Sequence, residues 1–365
     1  MGKHIVISRE GGDFSIDLIF AGLVRKFGKE NVIDYPVRVK HRQGRPELIG
    51  DDEKDYGAER RSLCYVENCE DMREWSLSEI ATEKIDCVWL DETDESFIHW
   101  IKLAGANLQI REVNKTVVIA GHDNFRGDPV NVKTRFGNSL ITMFVDDWQS
   151  QYNKYNFMNL TNLSCNFDHL WDSSKREVYQ QNKIYDLCFI GYNSNPVRRM
   201  IIDHVEKNWG HLNNCIIFED IQDKFDRFIR HDEMFKLMGQ SKVCLNLPGA
   251  STGGRALRYY EIPYVGSCMS TMRIPAHLLH PFENLKSCLE FSSITELDMN
   301  IDFALRKSTN GKSNYAIIAN EGYNHCLLHH TVDARLNYII EIMRNKVKTY
   351  EYRLRSYYFS GYRGQ

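Results

Sequence analysis

Residues Lys242–Thr271 read KVCLNLPGASTGGRALRYYEIPYVGSCMST, and this stretch decides the fold. It begins with an apolar, β-branched run that is typical of a buried strand, and Pro248-Gly249 end that run. A loop of small residues, Ala250–Gly254, follows and leads into a helix that carries Arg258 and Glu261. Because strand, glycine-rich loop and helix follow directly on one another, the stretch predicts one crossover unit of a parallel sheet.

The loop and the helix start have the composition of a phosphate site. Glycine and small hydroxyl residues let backbone N–H groups approach a phosphate, and a helix N-terminus adds a favourable partial charge. Arg258 offers a fixed charge with two donors, while the carboxylate of Glu261, three residues on, suits the two adjacent hydroxyls of a ribose. The alternative is an ordinary turn followed by a solvated i, i+3 ion pair. The chain has neither GxxxxGK[ST] nor GxGxxG in this region. The predicted binding residues of this segment are Gly249, Ser251, Thr252, Gly253, Arg258 and Glu261.

The same rhythm of strands and helices extends over the rest of the second half. The pattern predicts strands over Tyr185–Ile190, Cys215–Glu219, Lys242–Leu247, Tyr264–Met269 and Leu289–Phe291. It predicts helices over Val197–Lys207, Glu233–Met238 and Val332–Lys346. The polar segment Asp172–Lys183 is predicted to be a linker.

The first half shows a matching alternation. Strands are predicted over His4–Ser8, Asn31–Asp34, Asp86–Leu90, Thr116–Ala120 and Leu140–Val145. Apolar residues at helical spacing predict a helix over Phe14–Phe27, and the charged stretch Arg38–Arg61 is predicted to be a surface excursion. Two α/β halves of this kind predict two domains, as the length of 365 residues also does.

The bulk composition narrows the functional class. The formal net charge is -3, which gives no global sign of a nucleic-acid-binding protein. The N-terminus has no signal-peptide pattern, and no apolar run is long enough to span a membrane. The ten cysteines show no C-x-x-C pair and are predicted to be reduced core thiols, most clearly Cys87, Cys188, Cys215, Cys244 and Cys268. We therefore expect a cytoplasmic protein.

Several separated pieces of the chain together resemble the CgeB-like, group 1 type of GT-B glycosyltransferase. Arg258 and Glu261 fall on the R-x-x-E of that family. FAGLVRKFGKENVIDYP (Phe20–Pro36) is similar to its first helix and second strand, and YDLCFIGYNSNPVRR (Tyr185–Arg199) to the start of its second domain. The segment from His330-Thr331 to Ala334-Arg335 resembles its C-terminal helix.

The resemblance implies a fold and a reaction. The fold is α/β, with two Rossmann-like parallel-sheet domains facing a cleft and a C-terminal helix that crosses back to the first domain. The implied limits are residues 1–172 for the acceptor-side domain, 173–331 for the nucleotide-sugar domain and 332–365 for the returning helix and tail. The implied reaction moves a sugar from a nucleotide-diphosphate-sugar donor, with UDP expected, to a hydroxyl acceptor without a required metal.

Further donor-site residues also follow from the resemblance. The second wall of the diphosphate site would be lined by Gly191, Asn193, Ser194 and Arg198, or its neighbour Arg199. Gly12 is a further predicted donor-binding residue. The chain departs from the family after Glu261, where Ile262-Pro263-Tyr264-Val265-Gly266 replaces a stretch rich in alanine and glycine. We therefore expect a reshaped pocket for the donor sugar.

An inverting enzyme would also need a base for the acceptor hydroxyl. Three positions at strand ends of the first half offer one: Asp13, His122-Asp123 and Asp146-Asp147. Each is also a plausible turn or N-cap residue. Asp13, His122 and Asp123 are the predicted catalytic residues, and a retaining enzyme would not need them. Asp146-Asp147 lacks the D-x-D spacing of a metal motif.

Other readings stay open at this point. His325, Cys326, His329 and His330 lie close in sequence, but no acidic partner accompanies them, and structural or surface histidines are predicted there. The acceptor could be a 5-hydroxymethylated pyrimidine of DNA, as for phage-type DNA glycosyltransferases. A different class is a non-catalytic two-domain ligand-binding protein, and a sugar-phosphate isomerase or epimerase is a third reading.

Overall fold

A computed structural model of the chain provides the structure. It describes residues 2–7, 14–37, 69, 71–91, 93–112, 115–120, 140–144, 157–159, 173–220, 231–248, 257–273, 280–307 and 311–343. The predicted excursion Arg38–Arg61 lies outside these ranges.

The described residues form eleven strands and ten α-helices. The strands are β1 Lys3–Ile7, β2 Val32–Asp34, β3 Ile85–Asp91, β4 Thr116–Ala120, β5 Leu140–Phe144, β6 Phe157–Asn159, β7 Tyr185–Asn193, β8 Asn214–Asp220, β9 Ser241–Asn246, β10 Cys268–Met272 and β11 Leu289–Phe291. The helices are α1 Phe14–Phe27, α2 Leu77–Ile80, α3 Asp94–Ala106, α4 Ser173–Gln181, α5 Pro196–Trp209, α6 His231–Gly239, α7 Arg258–Tyr264, α8 Ile294–Leu305, α9 Asn314–His329 and α10 Val332–Met343.

The first half forms a six-stranded parallel sheet in the order β2-β1-β3-β4-β5-β6. Its described strands β1 and β3 are almost wholly buried, as expected for a sheet covered on both faces. One face packs on α1. Four residues of α10, from the far end of the chain, complete this core: Val332, Leu336, Ile339 and Ile340.

The second half forms a separate five-stranded parallel sheet in the order β11-β10-β9-β7-β8. Two apolar clusters cover its faces. The chain crosses from β7 through α5 to β8, and from β9 through α7 to β10. Because all strands are parallel, the loops before α5 and α7 emerge at the same carboxyl edge of the sheet. The C-terminal helix α10 then leaves this unit and packs on α1 of the other.

Most predicted elements are confirmed, and two are wrong. Asp172–Lys183 was predicted to be a linker, but Ser173–Gln181 form the helix α4. The strand predicted over Tyr264–Met269 starts only at Cys268, because Tyr264 still belongs to α7. The predicted core thiols are confirmed: Cys87, Cys188, Cys215, Cys244 and Cys268 are buried and free. The predicted domain limits stay predictions.

Candidate functional site

The centre of the candidate site is the pair Arg258 and Glu261 in the first turn of α7. Spacing by three residues places both side chains on one face of the helix, and Arg258 Nη1 donates a hydrogen bond to Glu261 Oε2. The side chain of Glu261 is 0% exposed and that of Arg258 is 28% exposed. The pair therefore differs from the solvated surface pair that the sequence left open, since its acidic member is removed from water.

Two polar atoms of this pair have no hydrogen-bond partner in the part of the chain that the structure describes. They are Oε1 of Glu261 and Nε of Arg258, and both are buried. A buried polar atom without a partner costs free energy that an apolar side chain would not cost. Such atoms are expected where a ligand supplies the missing partner.

The α7 helix is buried on nearly all sides, which fixes the position of the pair. From Tyr259 to Tyr264 every residue of this short helix is buried. Its aromatic residues pack on one another and on Phe282, with ring centroids 5.2 Å apart for Tyr259 and Tyr260 and 5.0 Å apart for Tyr259 and Phe282. The backbone N–H of Glu261 bonds to the carbonyl of Leu257 at 3.0 Å. The pair therefore stands on a rigid support.

Arg198 lies in the first turn of α5, just after the loop that follows β7. Asn195 caps α5 by accepting from the N–H of Arg198 at 2.9 Å, and its Nδ2 donates to the carbonyl of Pro248 at 2.8 Å. The guanidinium of Arg198 donates to the carbonyls of Tyr192 at 2.6 Å and Leu247 at 3.1 Å. Arg198 therefore fastens the ends of β7 and β9 together, which is a structural task that the sequence did not predict.

Arg198 also contributes charge to the site. Burial, followed by the positive charge of Arg258, lowers the pKa of Arg198 to about 10. The two guanidinium groups are thus close enough to repel each other, and Glu261 is the carboxylate paired with them. Two positive charges against one negative charge leave a region that attracts an anion.

Two other predicted residues lie on β7. Gly191 leaves space for its neighbours, because a Cβ there would be 3.0 Å from Cζ of Phe189 and 3.5 Å from Nη1 of Arg198. Asn193 is the last residue of β7 and pairs in register with Asp220 of β8. Arg199, the alternative to Arg198, lies over the ring of Phe218 at 4.4 Å. The described residues therefore bring Gly191, Arg198, Arg258 and Glu261 to one edge of the second sheet.

The remaining predicted residues lie outside the described ranges. They are Gly12, Asp13, His122, Asp123, Asp146, Asp147, Gly249, Ser251, Thr252 and Gly253. Their assignments stay predictions.

The structure adds one residue that the sequence reasoning missed. Asp91 ends β3, and its side chain is completely buried. Oδ1 accepts hydrogen bonds from N and Oγ1 of Thr93, at 3.0 and 2.5 Å, while Oδ2 has no partner among the described residues. The signal was available, because Asp91 is a carboxylate at a strand end, which is the criterion that selected Asp13.

The histidines near the C-terminus form a packed cluster. Rings of His280 and His329 stack at 4.2 Å, and the His325 ring lies 4.7 Å from that of His329. Across the described ranges, no group of three or more His, Cys, Asp or Glu side chains is arranged to hold a metal ion. No described helix is long and apolar enough to cross a membrane.

Comparison with known proteins agrees with this architecture. Residues 169–341 match the family described as "Glycosyl transferase-like". No curated protein sequence matches the chain at a significant level.

Three similar solved structures are glycosyltransferases or were solved with a nucleotide and a sugar. Anabaena Alr3699/HepE in complex with UDP and glucose is 11% identical with a TM-score of 0.52, over 94% of this chain and 100% of that one. A glycosyltransferase from Rickettsia africae is 10% identical with a TM-score of 0.49, over 95% and 99%. MurG from Acinetobacter baumannii is 12% identical with a TM-score of 0.38, over 94% and 99%. The chain has the predicted GT-B fold, and its residues 169–341, which include Gly191, Arg198, Arg258 and Glu261, are similar in sequence to the glycosyl transferase-like family.

Proposed function

We propose that this protein is a glycosyltransferase that moves a sugar from a nucleotide-diphosphate-sugar donor, with UDP as the nucleotide, to a hydroxyl acceptor. The family match over residues 169–341 supports the transfer reaction. The fold shared with a protein solved with UDP and glucose supports the choice of donor. We extend the proposal to the CgeB-like subtype, because Arg258 and Glu261 stand at its R-x-x-E spacing.

The observation that carries the proposal is the buried carboxylate of Glu261. One of its oxygens is engaged by Arg258, and the other has no hydrogen-bond partner in the described part of the chain. A carboxylate is an acceptor only, so the missing partner must be a donor group. The adjacent hydroxyls of a ribose are such donors, and we assign Glu261 to them.

The positive groups are assigned to the diphosphate. Arg258 is partly exposed and lies three residues from the ribose-binding Glu261, so its guanidinium is placed to contact the phosphates. Arg198 adds a second positive charge while it stays bonded to backbone carbonyls. Gly191, Asn193 and the loop residues Gly249, Ser251, Thr252 and Gly253 complete the proposed donor site.

The leaving diphosphate then needs no metal in this proposal. Fixed positive side chains and a helix N-terminus stabilise the charge that develops on the leaving group. We propose Asp13, His122 and Asp123 as the candidates for the acceptor-side base, with Gly12 in the same loop as Asp13. Along the chain, Asp13 lies between β1 and α1 and directly precedes α1, and one residue separates His122 from the last residue of β4. Ligands of parallel sheets bind at the carboxyl ends of such strands.

The cytoplasm is the proposed location. Eight described cysteines are buried and free, which is typical of a protein kept in a reducing compartment.

A nucleotide panel tests the donor assignment. The melting temperature would be measured for wild type, for Glu261→Ala and for a control variant. Each protein would be measured with UDP, GDP, ADP, CMP and TDP and with the matching sugar nucleotides. A ligand at a hundredfold excess over its dissociation constant stabilises the folded state by about 2.7 kcal/mol. We expect UDP and a UDP-sugar to stabilise wild type and to leave Glu261→Ala unchanged.

The matched control is Glu296→Gln. Glu296 is also a glutamate near a helix start, but its Oε2 accepts from the N–H of Ser292 at 2.5 Å, and its own N–H donates to the N-cap Ser293 of α8. Its variant should lose some stability and keep the nucleotide response. If no nucleotide raises the melting temperature of the wild-type protein, the proposal is wrong. A shift without donor hydrolysis or transfer would favour a binding protein, and transfer to hydroxymethylated DNA would identify the acceptor as a base.

A further inference from the structure

His330 and Arg335 form a buried pair where α9 gives way to α10. Each residue is only 1% exposed. Arg335 Nη2 lies 2.7 Å from Nδ1 of His330. A guanidinium has only donors, so Nδ1 is the acceptor and the ring proton sits on Nε2. The imidazole is therefore neutral, and burial together with the charge of Arg335 holds the pKa of His330 well below its ordinary value.

The His330 side of the pair packs on the donor-site helix α7. The ring centroid of His330 lies 4.9 Å from that of Tyr260, the residue directly before Glu261. Cys326, one helical turn earlier on α9, donates from Sγ to the carbonyl of Tyr260 at 3.7 Å. Tyr323 lies a further turn back and packs on Tyr264 at 6.1 Å. The α9 helix thus contacts α7 from one end to the other.

The Arg335 side of the pair belongs to the helix that packs on the first unit. Val332 and Leu336, on either side of Arg335 in α10, lie in one apolar cluster with Ile19 and Leu23 of α1. Asp333 adds an ion pair with Arg25 of α1 at 3.2 Å. The bond between Arg335 and His330 therefore lies on a continuous set of contacts from α7 to α1.

We propose that His330 and Arg335 are positioning residues of the donor site, which hold Tyr260 and thereby set the place of Glu261 relative to the first unit. This inference rests on the proposed function, because it assigns the pair to donor binding. Neither residue touches the donor. Their effect passes through the ring of Tyr260 to the carboxylate that follows it in the chain.

Two variants remove the bond in different ways. Arg335→Met keeps an unbranched chain and removes the donor, while His330→Phe keeps the ring on Tyr260 and removes the acceptor. We expect each to raise the KM for the sugar nucleotide about tenfold and to change kcat little, because the loss falls on binding of the ground state. The double variant should be no worse than either single variant. His330→Gln, which restores an acceptor, should recover part of the affinity.

Leu103→Ala is the matched structural control. Leu103 is fully buried in α3, in the apolar cluster on the other face of the first sheet, and it lies outside the set of contacts from α7 to α1. Its variant should lower the melting temperature as much as Arg335→Met does, and it should leave KM at the wild-type value.

Hydrogen–deuterium exchange gives a readout that needs no nucleotide. Amides of residues 257–266 should exchange faster in Arg335→Met and His330→Phe, while amides of β9 keep the wild-type rate. If the variants exchange residues 257–266 at the wild-type rate, or if they fold and keep the wild-type KM, the positioning role is wrong. If the wild-type protein binds no nucleotide, the proposed function is wrong, and so is the donor role of the pair.

Discussion

The second sheet has a charged group at each of its two edges, and the two groups differ in their hydrogen-bond partners. Lys183 is half-buried, and the side chain of Glu261 is fully buried. At the amino edge, Lys183 donates to the carbonyls of Gly239 at 2.7 Å, Ser241 at 2.8 Å and Gly266 at 3.0 Å, and to Oγ of Ser267 at 3.1 Å. At the carboxyl edge, Glu261 and Arg258 satisfy one another and leave Oε1 and Nε without partners among the described residues.

This difference agrees with a structural role for Lys183 and with the donor-binding role proposed for Arg258 and Glu261. Every proton of the Lys183 ammonium has an acceptor in the protein, so nothing is left for a ligand. The carboxyl-edge pair keeps unused hydrogen-bonding capacity at the edge where parallel sheets bind ligands.

The largest effect is expected when Lys183, whose ammonium protons all have acceptors, is replaced. Lys183→Met should lower the free energy of unfolding by about 3 kcal/mol, because three carbonyls lose their donor in a buried place. Donor binding should stay at the wild-type level, as measured by calorimetry on the folded protein. A variant that keeps full stability would show that the acceptors of Lys183 are solvated, and would break the comparison.

The next largest effect is expected on nucleotide binding, when Arg258 of the pair Arg258 and Glu261 is replaced. Arg258→Gln should weaken UDP binding about 30-fold and uridine binding much less, because a lost charged hydrogen bond to phosphate costs about 2 kcal/mol. Calorimetry with the two ligands measures the ratio. An equal loss for both would mean that Arg258 acts by holding Glu261 and does not contact the diphosphate.

Acid pH tests a third kind of group, the half-buried histidines of the C-terminal cluster. Burial, followed by nearby positive charge, lowers the pKa of His280 and of His329 to about 4. In the unfolded chain both titrate near 6.5, so the unfolded state takes up protons that the folded state refuses. Stability should therefore be complete above pH 6.5 and fall as the pH drops toward 4.

The measurement is the urea midpoint at pH 7.5, 6 and 5. The double variant His280→Asn, His329→Asn should show a shallower fall than wild type across this range. Other groups that act on the cluster are His325, His330, Arg335, Glu283 and Lys286. A slope unaltered by the double variant would assign the acid sensitivity to these groups instead.

The smallest effect is expected at Lys242, next to Ser241 on the same edge as Lys183. Its Nζ contacts Oδ1 of Asp186 at 2.5 Å, and both side chains are partly exposed. Lys242→Met should cost less than about 1 kcal/mol, as exposed pairs do. This variant is the matched control for Lys183→Met, since it removes the same charge from the same edge. If Lys242→Met lowers the free energy of unfolding as much as Lys183→Met does, the full set of hydrogen-bond acceptors around Lys183 does not explain its effect.

The sequence predicted the sheets well because their strands are short apolar runs ended by glycine, proline or polar residues. The predicted linker failed for a physical reason. The α4 helix has no broad apolar face, and it is held in part by Arg176, whose guanidinium lies 3.3 Å from the ring centroid of Tyr323. Patterns of hydrophobic residues do not detect a helix that docks through a cation–π contact.

The end of α7 was misassigned for the opposite reason. Its residues from Tyr259 to Tyr264 are all buried, and the apolar run at the end of a buried helix resembles that of a buried strand. Gly266, with φ of 75°, ends the helix where the pattern shows no break. The α3 helix was missed because Ile98 and Ile101 are exposed and blur its apolar face, although its N-cap Thr93 was readable.

The candidate site was predictable as residue types but not as an arrangement. Spacing placed Arg258 and Glu261 on one helix face, which the structure confirms. Two features of the site depend on how β7, β9 and α7 pack together: the carbonyl partners of Arg198 and the missing partner of Glu261. Local sequence patterns do not predict that packing.

The α10 helix has a consequence for the order in which the protein is built. Its residues Val332, Leu336, Ile339 and Ile340 belong to the core of the first unit but are translated after the whole of the second. Domains generally fold as they leave the ribosome, the N-terminal one first. Here the part of α1 that packs on α10 stays uncovered until some 300 further residues have been made, counting from Phe27 to Val332. The unit that is synthesised first is therefore the one that is finished last.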